Sequence, residues 1–331
     1  MKILITGADG FIGSHLVEKL LKKKHEVRAF CFYNSINSWG WLNHLKTKRI
    51  KNFDVVMGDI RDFEIVKAAL KKVDVVYNLA SLISIPYSYV TPRSYIQTNI
   101  IGALNVLEAS KEIKVKKIIQ ISTSEVYGTA KYVPIDEKHP VVGQSPYSAS
   151  KIAADQLSLS FNKSFGLPVS IIRPFNTFGP RQSFRAVIPT IIRQLINGNG
   201  ELHLGFIKSK RDFSFIDDTT EALCKALTTK KDIGDVTNLG SGYGISIEQI
   251  AKLIGKKMNK KIKFITDERK LRPKASEVYN LLSSNVNAKK KFNWKPKFHG
   301  INGLSKALDI TINWYLKNFK DTTSEEFHID L

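Results

Sequence analysis

Short apolar runs alternate with amphipathic helical segments through the first half of this 331-residue chain, and this alternation restricts the fold more than any other feature. Runs rich in β-branched residues are predicted to be buried strands, and they lie at 2–6, 26–32, 53–58, 73–80, 116–122 and 168–175. The segments at 13–23 and 63–72 space their apolar residues as helices do. The pattern predicts an α/β fold with a parallel, doubly wound sheet and right-handed crossovers.

The pattern becomes mixed after about residue 175. We expect helices at 187–196, 246–258 and 301–318, and short strands near 202–205 and 212–217. This half is predicted to form a smaller α/β lid over the carboxyl ends of the strands, where such sheets bind ligands, with part of it returning to the sheet. The predicted domains are therefore 1–175 for cofactor binding, 176–320 for substrate binding, and a flexible tail at 321–331.

Net charge is the compositional outlier, since 51 Lys and Arg face 30 Asp and Glu, which gives a formal charge of +21. Such a field favours anionic ligands. The lysines are scattered along helical segments, and neither a basic tail nor an aromatic-basic module is present. We interpret them as solvated helix faces, and we predict a small anionic ligand and no nucleic-acid partner.

The remaining composition predicts a cytoplasmic protein without a metal or a membrane partner. Two cysteines cannot build a disulfide framework or a zinc cluster by spacing. The seven histidines show no metal-ligand spacing. The chain begins with Met-Lys and enters an apolar strand directly, without the pattern of a signal peptide. No apolar run approaches the roughly 20 residues that span a bilayer.

The first predicted strand runs into a glycine-rich loop and then a helix, with the loop sequence Gly7-Ala8-Asp9-Gly10-Phe11-Ile12-Gly13. Glycines at this spacing let the backbone turn tightly and approach a pyrophosphate, while the helix N-terminus supplies amide donors. We therefore predict a Rossmann-type dinucleotide site. The predicted cofactor contacts are Gly7, Gly10, Phe11, Ile12, Gly13, Asn34, Ser35, Asp59, Ile60, Leu79, Ala80, Ser81, Tyr147 and Lys151.

The end of the second strand departs from the usual pattern of such sites. An acidic residue normally stands there and bonds the adenosine ribose hydroxyls, but this chain has Cys31. We assign that contact to Asn34 and Ser35 or to backbone. No arginine follows in the loop to receive a 2′-phosphate, so we predict NAD rather than NADP, without excluding NADP.

Five polar residues near the fifth strand are predicted to be catalytic. Tyr147 and Lys151 share a helix face, so the ammonium is expected to lower the phenol pKa from about 10 and make Tyr147 a base. Thr123 can bond the hydroxyl that is oxidised. Glu125, two residues further along an extended segment, adds a carboxylate that hydride transfer alone does not need. The predicted catalytic residues are Thr123, Ser124, Glu125, Tyr147 and Lys151.

Together these motifs resemble the extended short-chain dehydrogenase/reductase superfamily. Over nearly the whole chain the sequence is similar to its nucleotide-sugar-modifying members, in the blocks "NLAS", "RPFNTFGPRQ", "RDFSFIDD" and "LRP". The resemblance implies oxidation at C4 of a hexose by a tightly bound, recycled nicotinamide cofactor, followed by epimerisation, dehydration or decarboxylation. It also implies a homodimer through helices within 92–112 and 145–164. The implied substrate contacts are Ser84, Asn176, Arg185, Arg211 and Arg272.

Longer blocks narrow the resemblance. The Thr-Ser-Glu triplet at 123–125 resembles GDP-mannose-type 4,6-dehydratases and UDP-glucuronate decarboxylases. Segments 33–42, 122–155, 173–192 and 271–278 look most like the 4,6-dehydratases of legionaminic acid biosynthesis. This implies conversion of a nucleotide-linked N-acetylhexosamine, foremost GDP-N-acetylglucosamine, to its 4-keto-6-deoxy derivative. A UDP-glucuronate decarboxylase, a 4-epimerase and a non-catalytic cofactor sensor remain alternatives.

Overall fold

The computed structural model describes residues 1–319, which form twelve strands and eleven α-helices. The strands are β1 Lys2–Thr6, β2 Glu26–Phe32, β3 Phe53–Gly58, β4 Val75–Asn78, β5 Lys117–Ile121, β6 Val169–Pro174, β7 Asn176–Phe178, β8 Glu201–Leu204, β9 Lys210–Phe215, β10 Val236–Leu239, β11 Gly244–Ser246 and β12 Lys263–Thr266. The helices are α1 Phe11–Lys22, α2 Phe63–Ala69, α3 Ile85–Val90, α4 Pro92–Tyr95, α5 Gly102–Ile113, α6 Pro146–Phe165, α7 Val187–Asn197, α8 Ile216–Ala226, α9 Ile247–Lys257, α10 Val286–Phe292 and α11 Gly300–Asn318. The predicted tail at 321–331 lies outside the described residues.

A seven-stranded sheet with the order β10-β6-β5-β4-β1-β2-β3 forms the centre of the molecule, and its strands pair in parallel. This confirms the predicted Rossmann-type α/β class. The chain runs outward from β1 to β3 and then crosses back to β4, so the strand order reverses between β1 and β4. Such a switch point opens a crevice at the carboxyl ends of the strands, where a ligand can enter.

The second half of the chain builds a smaller α/β unit beside those carboxyl ends. Its three-stranded sheet has the order β11-β9-β7, and a two-stranded sheet pairs β12 with β8. A separate apolar cluster joins α7, α9 and α11 to these strands. Phe11 and Ile12, at the start of α1, pack against that cluster and connect the two halves. One strand of the second half, β10, returns to the edge of the large sheet.

The described helices include none that is long and apolar enough to cross a bilayer. Among the same residues, no group of three or more His, Cys, Asp or Glu side chains is arranged to hold a metal ion.

Candidate active site

The glycine-rich loop brings β1 and the start of α1 into backbone contact. Gly7 has a φ of 64°, in the left-handed region that favours glycine. A Cβ atom on Gly13 would lie 2.2 Å from the carbonyl oxygen of Gly7, so no side chain fits there. Gly10 is the N-cap of α1, and the first turn of α1 contains no acidic residue. The arrangement leaves the helix N-terminus suited to an anionic pyrophosphate.

The loop after β4 lies directly against this glycine-rich loop. The Thr6 hydroxyl accepts the amides of Leu79 and Ala80 at 3.1 and 3.0 Å, and it donates to the Asn78 side chain at 2.7 Å. A Cβ on Gly7 would lie only 3.0 Å from Ala80 Cα. The two segments predicted to contact the cofactor are therefore held at the switch point by one buried hydroxyl.

Two further predicted contacts follow β3. Asp59 forms an ion pair with Arg61 at 2.5 Å, and this partner lowers the pKa of the carboxyl. Ile60 is buried, and its side chain fills the space where a Cβ on Gly102 would stand, 2.7 Å away. The partly exposed Asp59 therefore remains open to a ligand at the rim of the sheet, while Ile60 packs against α5.

Side chains at the end of β2 are directed differently from the sequence-based assignment. Cys31 is fully buried, and burial raises the pKa of its thiol to about 12. The Asn34 amide donates to the carbonyls of Phe32 and Ser38 at 3.1 and 2.8 Å, and its oxygen accepts the Ser38 amide at 2.8 Å. Asn34 thus closes its own loop, and only Ser35 of the two assigned residues is exposed.

Four of the five predicted catalytic residues meet between β5 and α6, and we call Thr123, Glu125, Tyr147 and Lys151 the catalytic cluster. The Thr123 hydroxyl accepts the Glu125 amide at 3.2 Å and is hydrogen-bonded to the Tyr147 phenol. Lys151 donates to the carbonyl of Ile121 at 2.6 Å.

Local sequence explains this placement. Helix α6 starts at Pro146, and a capping box between Ser145 and Ser148 fixes its first turn. Tyr147 stands in that turn, and Lys151 follows one turn later on the same face. Ser124, the fifth predicted residue, is buried in the 3-10 turn that follows Thr123.

The expected lowering of the Tyr147 pKa by Lys151 is wrong for this structure. Burial raises the phenol pKa, and the Glu125 charge raises it further, whereas the bond from Thr123 lowers it. Burial also lowers the pKa of Lys151 to about 8. Desolvation prevails because both groups are enclosed and the ammonium is directed at the Ile121 carbonyl.

Sequence analysis missed a buried carboxylate behind the cluster. Asp155 is fully buried one turn after Lys151, and its charge opposes the lowering of the Lys151 pKa. The carboxylate accepts bonds from the Ser122 hydroxyl at 2.9 Å and from Arg173 Nε and Nη2 at 3.0 and 2.9 Å. The four-residue spacing from Lys151 on one helix face is the signal that would have identified it.

The second half of the chain contributes two guanidinium groups beside Glu125, a buried one from Arg211 and a partly buried one from Arg272. Arg272 Nη1 lies 3.6 Å from Glu125 Oε2, and Arg211 Nη2 lies 3.7 Å from Glu277 Oε1. Burial and the charge of Arg272 lower the pKa of Arg211. We call Arg211, Arg272 and Glu277 the arginine cluster. Paired guanidinium groups of this kind match a phosphate with forked hydrogen bonds.

The other predicted substrate contacts lie on β7 and in the segments that precede α3 and α7. Asn176 begins β7, and its side-chain oxygen is buried without a hydrogen-bond donor in the described part of the chain. The Arg185 guanidinium lies 5.6 Å from the ring centre of Tyr87. Tyr87 in turn is 6.2 Å from Tyr95, whose ring is 6.1 Å from that of Tyr147. A row of three aromatic rings therefore connects Arg185 to the catalytic cluster.

Ser84 has a backbone conformation that a non-glycine residue rarely adopts, with a φ of 84°. The Tyr95 hydroxyl is hydrogen-bonded to the carbonyls of Ile83 and Ser84 at 2.5 and 2.7 Å. Tyr95 is fully buried. No pattern in the sequence marks this tyrosine, because its role depends on a loop that packs against it only in the fold.

Comparison with known proteins assigns the family. The sequence model for GDP-mannose 4,6 dehydratase matches residues 4–306 of this chain. The chain belongs to this family. It is 31% identical to the low-salt glycan biosynthesis protein Agl12 of Haloferax volcanii, over 93% of this chain and 98% of that protein.

Solved structures extend the comparison to members with different reactions. UDP-glucuronic acid 4-epimerase from Bacillus cereus, in complex with UDP-glucuronic acid and NAD, is 30% identical, with a TM-score of 0.86 and coverage of 96% of this chain and 99% of the other. dTDP-glucose 4,6-dehydratase from Bacillus anthracis, in complex with NAD, is 29% identical, with a TM-score of 0.81 and coverage of 96% and 97%.

The protein is therefore an enzyme of the NAD-dependent nucleotide-sugar dehydratase and epimerase group. The resemblance to extended short-chain dehydrogenase/reductases is confirmed at this level. The prediction of NAD as the cofactor is also confirmed, because the solved relatives are NAD complexes.

Proposed function

We propose that this protein is a nucleotide-sugar 4,6-dehydratase, and the carboxylate of Glu125 is the observation that carries the proposal. Oxidation and reduction at C4 need Thr123, Tyr147 and Lys151, but they do not need an acid beside them. Glu125 is largely buried next to Thr123, with Arg272 at 3.6 Å. A carboxylate held there is available for the proton transfers that remove water.

The glycine-rich loop supports NAD as the bound cofactor. A Cβ on Gly13 would collide with Gly7, so glycine at this position lets α1 pack directly against the loop and leaves the helix N-terminus available to a pyrophosphate. Ser81, Leu79, Ala80, Asp59 and Ile60 are proposed to line the remainder of the site, and Lys151 is proposed to hold the nicotinamide ribose. When bound, NAD would accept the hydride from C4 and supply it to C6, which would keep the cycle redox-neutral.

The first proton transfer is assigned to Tyr147. Its phenolate takes the proton from O4 of the sugar, and the Thr123 hydroxyl bonds the same oxygen. Burial opposes formation of the phenolate, while the hydrogen bond from Thr123 favours it. Lys151, one helical turn away, can favour the phenolate only in its protonated form, because only the ammonium carries a positive charge.

The elimination is assigned to Glu125. The ketone at C4 acidifies the proton at C5, and the Glu125 carboxylate removes it. Departure of the 6-hydroxyl requires an acid, which is either the newly protonated Glu125 or a water held by Ser124. Of the two protons taken up by Tyr147 and Glu125, one leaves with the 6-hydroxyl as water and the other goes to C5 as hydride returns to C6, which gives the 4-keto-6-deoxy sugar.

The arginine cluster is proposed to hold the substrate diphosphate. Arg211 is buried and Arg272 is partly buried, and their carboxylate neighbours lie at 3.7 and 3.6 Å, respectively. Ser84, Asn176 and Arg185 are proposed to contact the remainder of the nucleotide sugar. The most favoured substrate is GDP-N-acetylglucosamine, as the resemblance to the dehydratases of legionaminic acid biosynthesis implies.

We also propose a homodimer through the helices within 92–112 and 145–164. Ile96 and Phe165 expose 49% and 55% of their surface on or beside these helices. Burial of such side chains against a second copy would favour association. Size-exclusion chromatography with light scattering would test this proposal.

The test of the reaction is mass spectrometry after incubation with GDP- and UDP-linked N-acetylglucosamine, UDP-glucose and UDP-glucuronate. We expect loss of water, with the GDP-linked sugar converted fastest. Loss of carbon dioxide would assign a decarboxylase, and an unchanged mass with an altered sugar would assign an epimerase. No turnover of any of them would favour a cofactor sensor.

Replacement of the acid tests the assigned step. The Glu125→Gln variant should bind dinucleotide and still oxidise C4, seen as reduced-nicotinamide absorbance, but water loss should fall by about 100-fold or more. Glu268→Gln is the matched control, since Glu268 is exposed. Full dehydration by the Glu125→Gln variant would remove Glu125 from the mechanism.

A further inference from the structure

A carboxylate from a different segment lies beside the end of β2, where this chain lacks the usual acidic residue. Cys31 is fully buried in the apolar core, and Asn34 uses its side chain to close its own loop. Neither the residue at the strand end nor the amide three positions later therefore has a free acceptor directed to a ribose. Ser35 is exposed but carries no charge, so a charged acceptor must come from elsewhere in the fold.

Asp9 is that neighbouring carboxylate, although it belongs to the glycine-rich loop. Its Oδ2 atom accepts the backbone amide of Phe32 at 3.4 Å, and Phe32 directly follows Cys31. Asp9 is also close enough to Cys31 for its charge to contribute to the raised thiol pKa. The side chain is only partly buried, so it can still reach a ligand.

The loop after β2 fixes the position of Asp9. Gly40 has a φ of 53°, and a Cβ there would lie 2.5 Å from the Asp9 carbonyl oxygen and 3.0 Å from its Cβ. The Trp41 amide donates to that same carbonyl at 3.2 Å. The Trp41 ring packs edge-on against Trp314 of α11, with 5.4 Å between ring centres. Trp41 thus connects the glycine-rich loop to α11.

Two basic side chains that follow in this loop, His44 and Lys46, have other partners. His44 lies 3.0 Å from Glu18, and Lys46 bonds the Asn37 carbonyl and lies 5.2 Å from the centre of the Trp39 ring. Neither is directed at Asp9. The Asp9 carboxylate is the charged group bonded to the end of β2, through the Phe32 amide.

We propose that the Asp9 carboxylate accepts a hydrogen bond from the 2′-hydroxyl of the adenosine ribose and thereby selects NAD over NADP. A carboxylate accepts a hydroxyl proton in a charge-assisted bond, whereas the 2′-phosphate of NADP brings like charge to the same place. The inference rests on the proposed function, because it assumes that the glycine-rich loop holds a nicotinamide dinucleotide.

The test is calorimetric binding of NADH, NADPH and 2′-deoxy-NADH to protein freed of bound dinucleotide. Wild type should prefer NADH to NADPH. The Asp9→Asn variant should narrow that preference about tenfold or more, since a bond to a charged acceptor and a like-charge repulsion are both lost. Its affinity for 2′-deoxy-NADH should equal that of wild type, because that ligand lacks the hydroxyl.

Two controls separate this effect from a loss of folding. Cys31→Ser should leave the NADH to NADPH ratio unchanged, and Asp9→Ser should narrow the ratio as Asp9→Asn does. An unchanged ratio in both Asp9 variants, or equal losses for NADH and 2′-deoxy-NADH, would overturn the inference and leave the proposed function standing. If wild type binds none of the three dinucleotides, the proposed function itself fails.

Discussion

The catalytic cluster and the arginine cluster lie side by side, but they are constructed in different ways. Thr123, Glu125, Tyr147 and Lys151 come from the end of β5 and the first turns of α6, and hydrogen bonds of 2.6 and 3.2 Å to nearby backbone hold Lys151 and Thr123. The arginine cluster is drawn from β9 and a distant loop, and its ion pairs are longer, at 3.6 and 3.7 Å.

This difference indicates that the catalytic cluster keeps its geometry without a ligand, whereas the arginine cluster lacks some of its hydrogen-bond partners. Backbone bonds of normal length leave the catalytic residues in fixed positions. Arg211 is 5% exposed and donates to the Lys210 carbonyl at 3.0 Å, but its carboxylate neighbour is too distant for a hydrogen bond. Arg272 Nη1 is buried with no acceptor within hydrogen-bond distance among the described residues, so the cost of burying these charges is only partly offset. An anionic diphosphate would supply the missing bonds. We therefore expect changes in the catalytic cluster to lower kcat, and changes in the arginine cluster to raise KM.

The largest effect should come from Tyr147→Phe, which breaks the catalytic cluster alone. Loss of the base should lower kcat by about 1,000-fold or more, because positioned acid-base groups contribute about 100- to 10,000-fold. Dinucleotide affinity and KM should change little. Steady-state kinetics and calorimetry measure both quantities. Tyr132→Phe, at a 44% exposed tyrosine, serves as the control, and equal losses in the two variants would contradict the assignment.

An intermediate effect is expected from Asp155→Asn, which removes charge from behind the catalytic cluster. Arg173 is 4% exposed and would lose its ionic partner, so the free energy of unfolding should fall by about 3 kcal/mol. Urea unfolding measures this loss.

The Asp155→Asn variant should also shift the pH profile of kcat/KM, which a purely structural role of Asp155 would not do. Lys151 has a pKa of about 8, and Asp155 raises it. If turnover needs the charged lysine, kcat/KM should fall as pH rises through about 8 in wild type, and at lower pH in Asp155→Asn. Ser122→Ala removes one hydrogen bond but keeps the charge, so its profile should match wild type. An unmoved limb in Asp155→Asn would show that Asp155 does not act through Lys151.

The smallest effect is expected from Arg211→Lys, which tests the arginine cluster. Lysine keeps the charge but loses the forked geometry, so KM for the nucleotide sugar should rise about tenfold while kcat stays near wild type. Initial-rate kinetics separate the two parameters. A fall in kcat with an unchanged KM would place Arg211 with the catalytic cluster and contradict the separate roles of the two clusters.

Short-range patterns in the sequence predicted some features well. The six predicted strands of the first half correspond to β1 through β6, because buried parallel strands are apolar along their length. Tyr147 and Lys151 lie one turn apart on α6, as predicted, because helix geometry places residues four apart on one face. The position of the glycine-rich loop was also predicted from the sequence, because a strand, a tight turn and a helix follow each other without a gap.

Other features depended on contacts between distant segments. The Tyr147 pKa was misjudged because burial cannot be read from a spacing of four residues. Tyr95 was missed because its bonds to Ile83 and Ser84 form only when two helices and a loop pack together. Asn34 was assigned to the ribose because the sequence does not reveal which polar groups are already satisfied by their own loop.

The amino-acid sequence by itself determined the parallel sheet, the glycine-rich turn and the placement of Tyr147 and Lys151 on one helix, because each depends on backbone periods and turns that span a few residues. Only the tertiary structure decided which charges face one another. Arg272 meets Glu125, and Asp9 approaches the end of β2, across large separations in the chain. Electrostatic interactions depend on distance and burial in space, and these quantities exist only after the chain has folded.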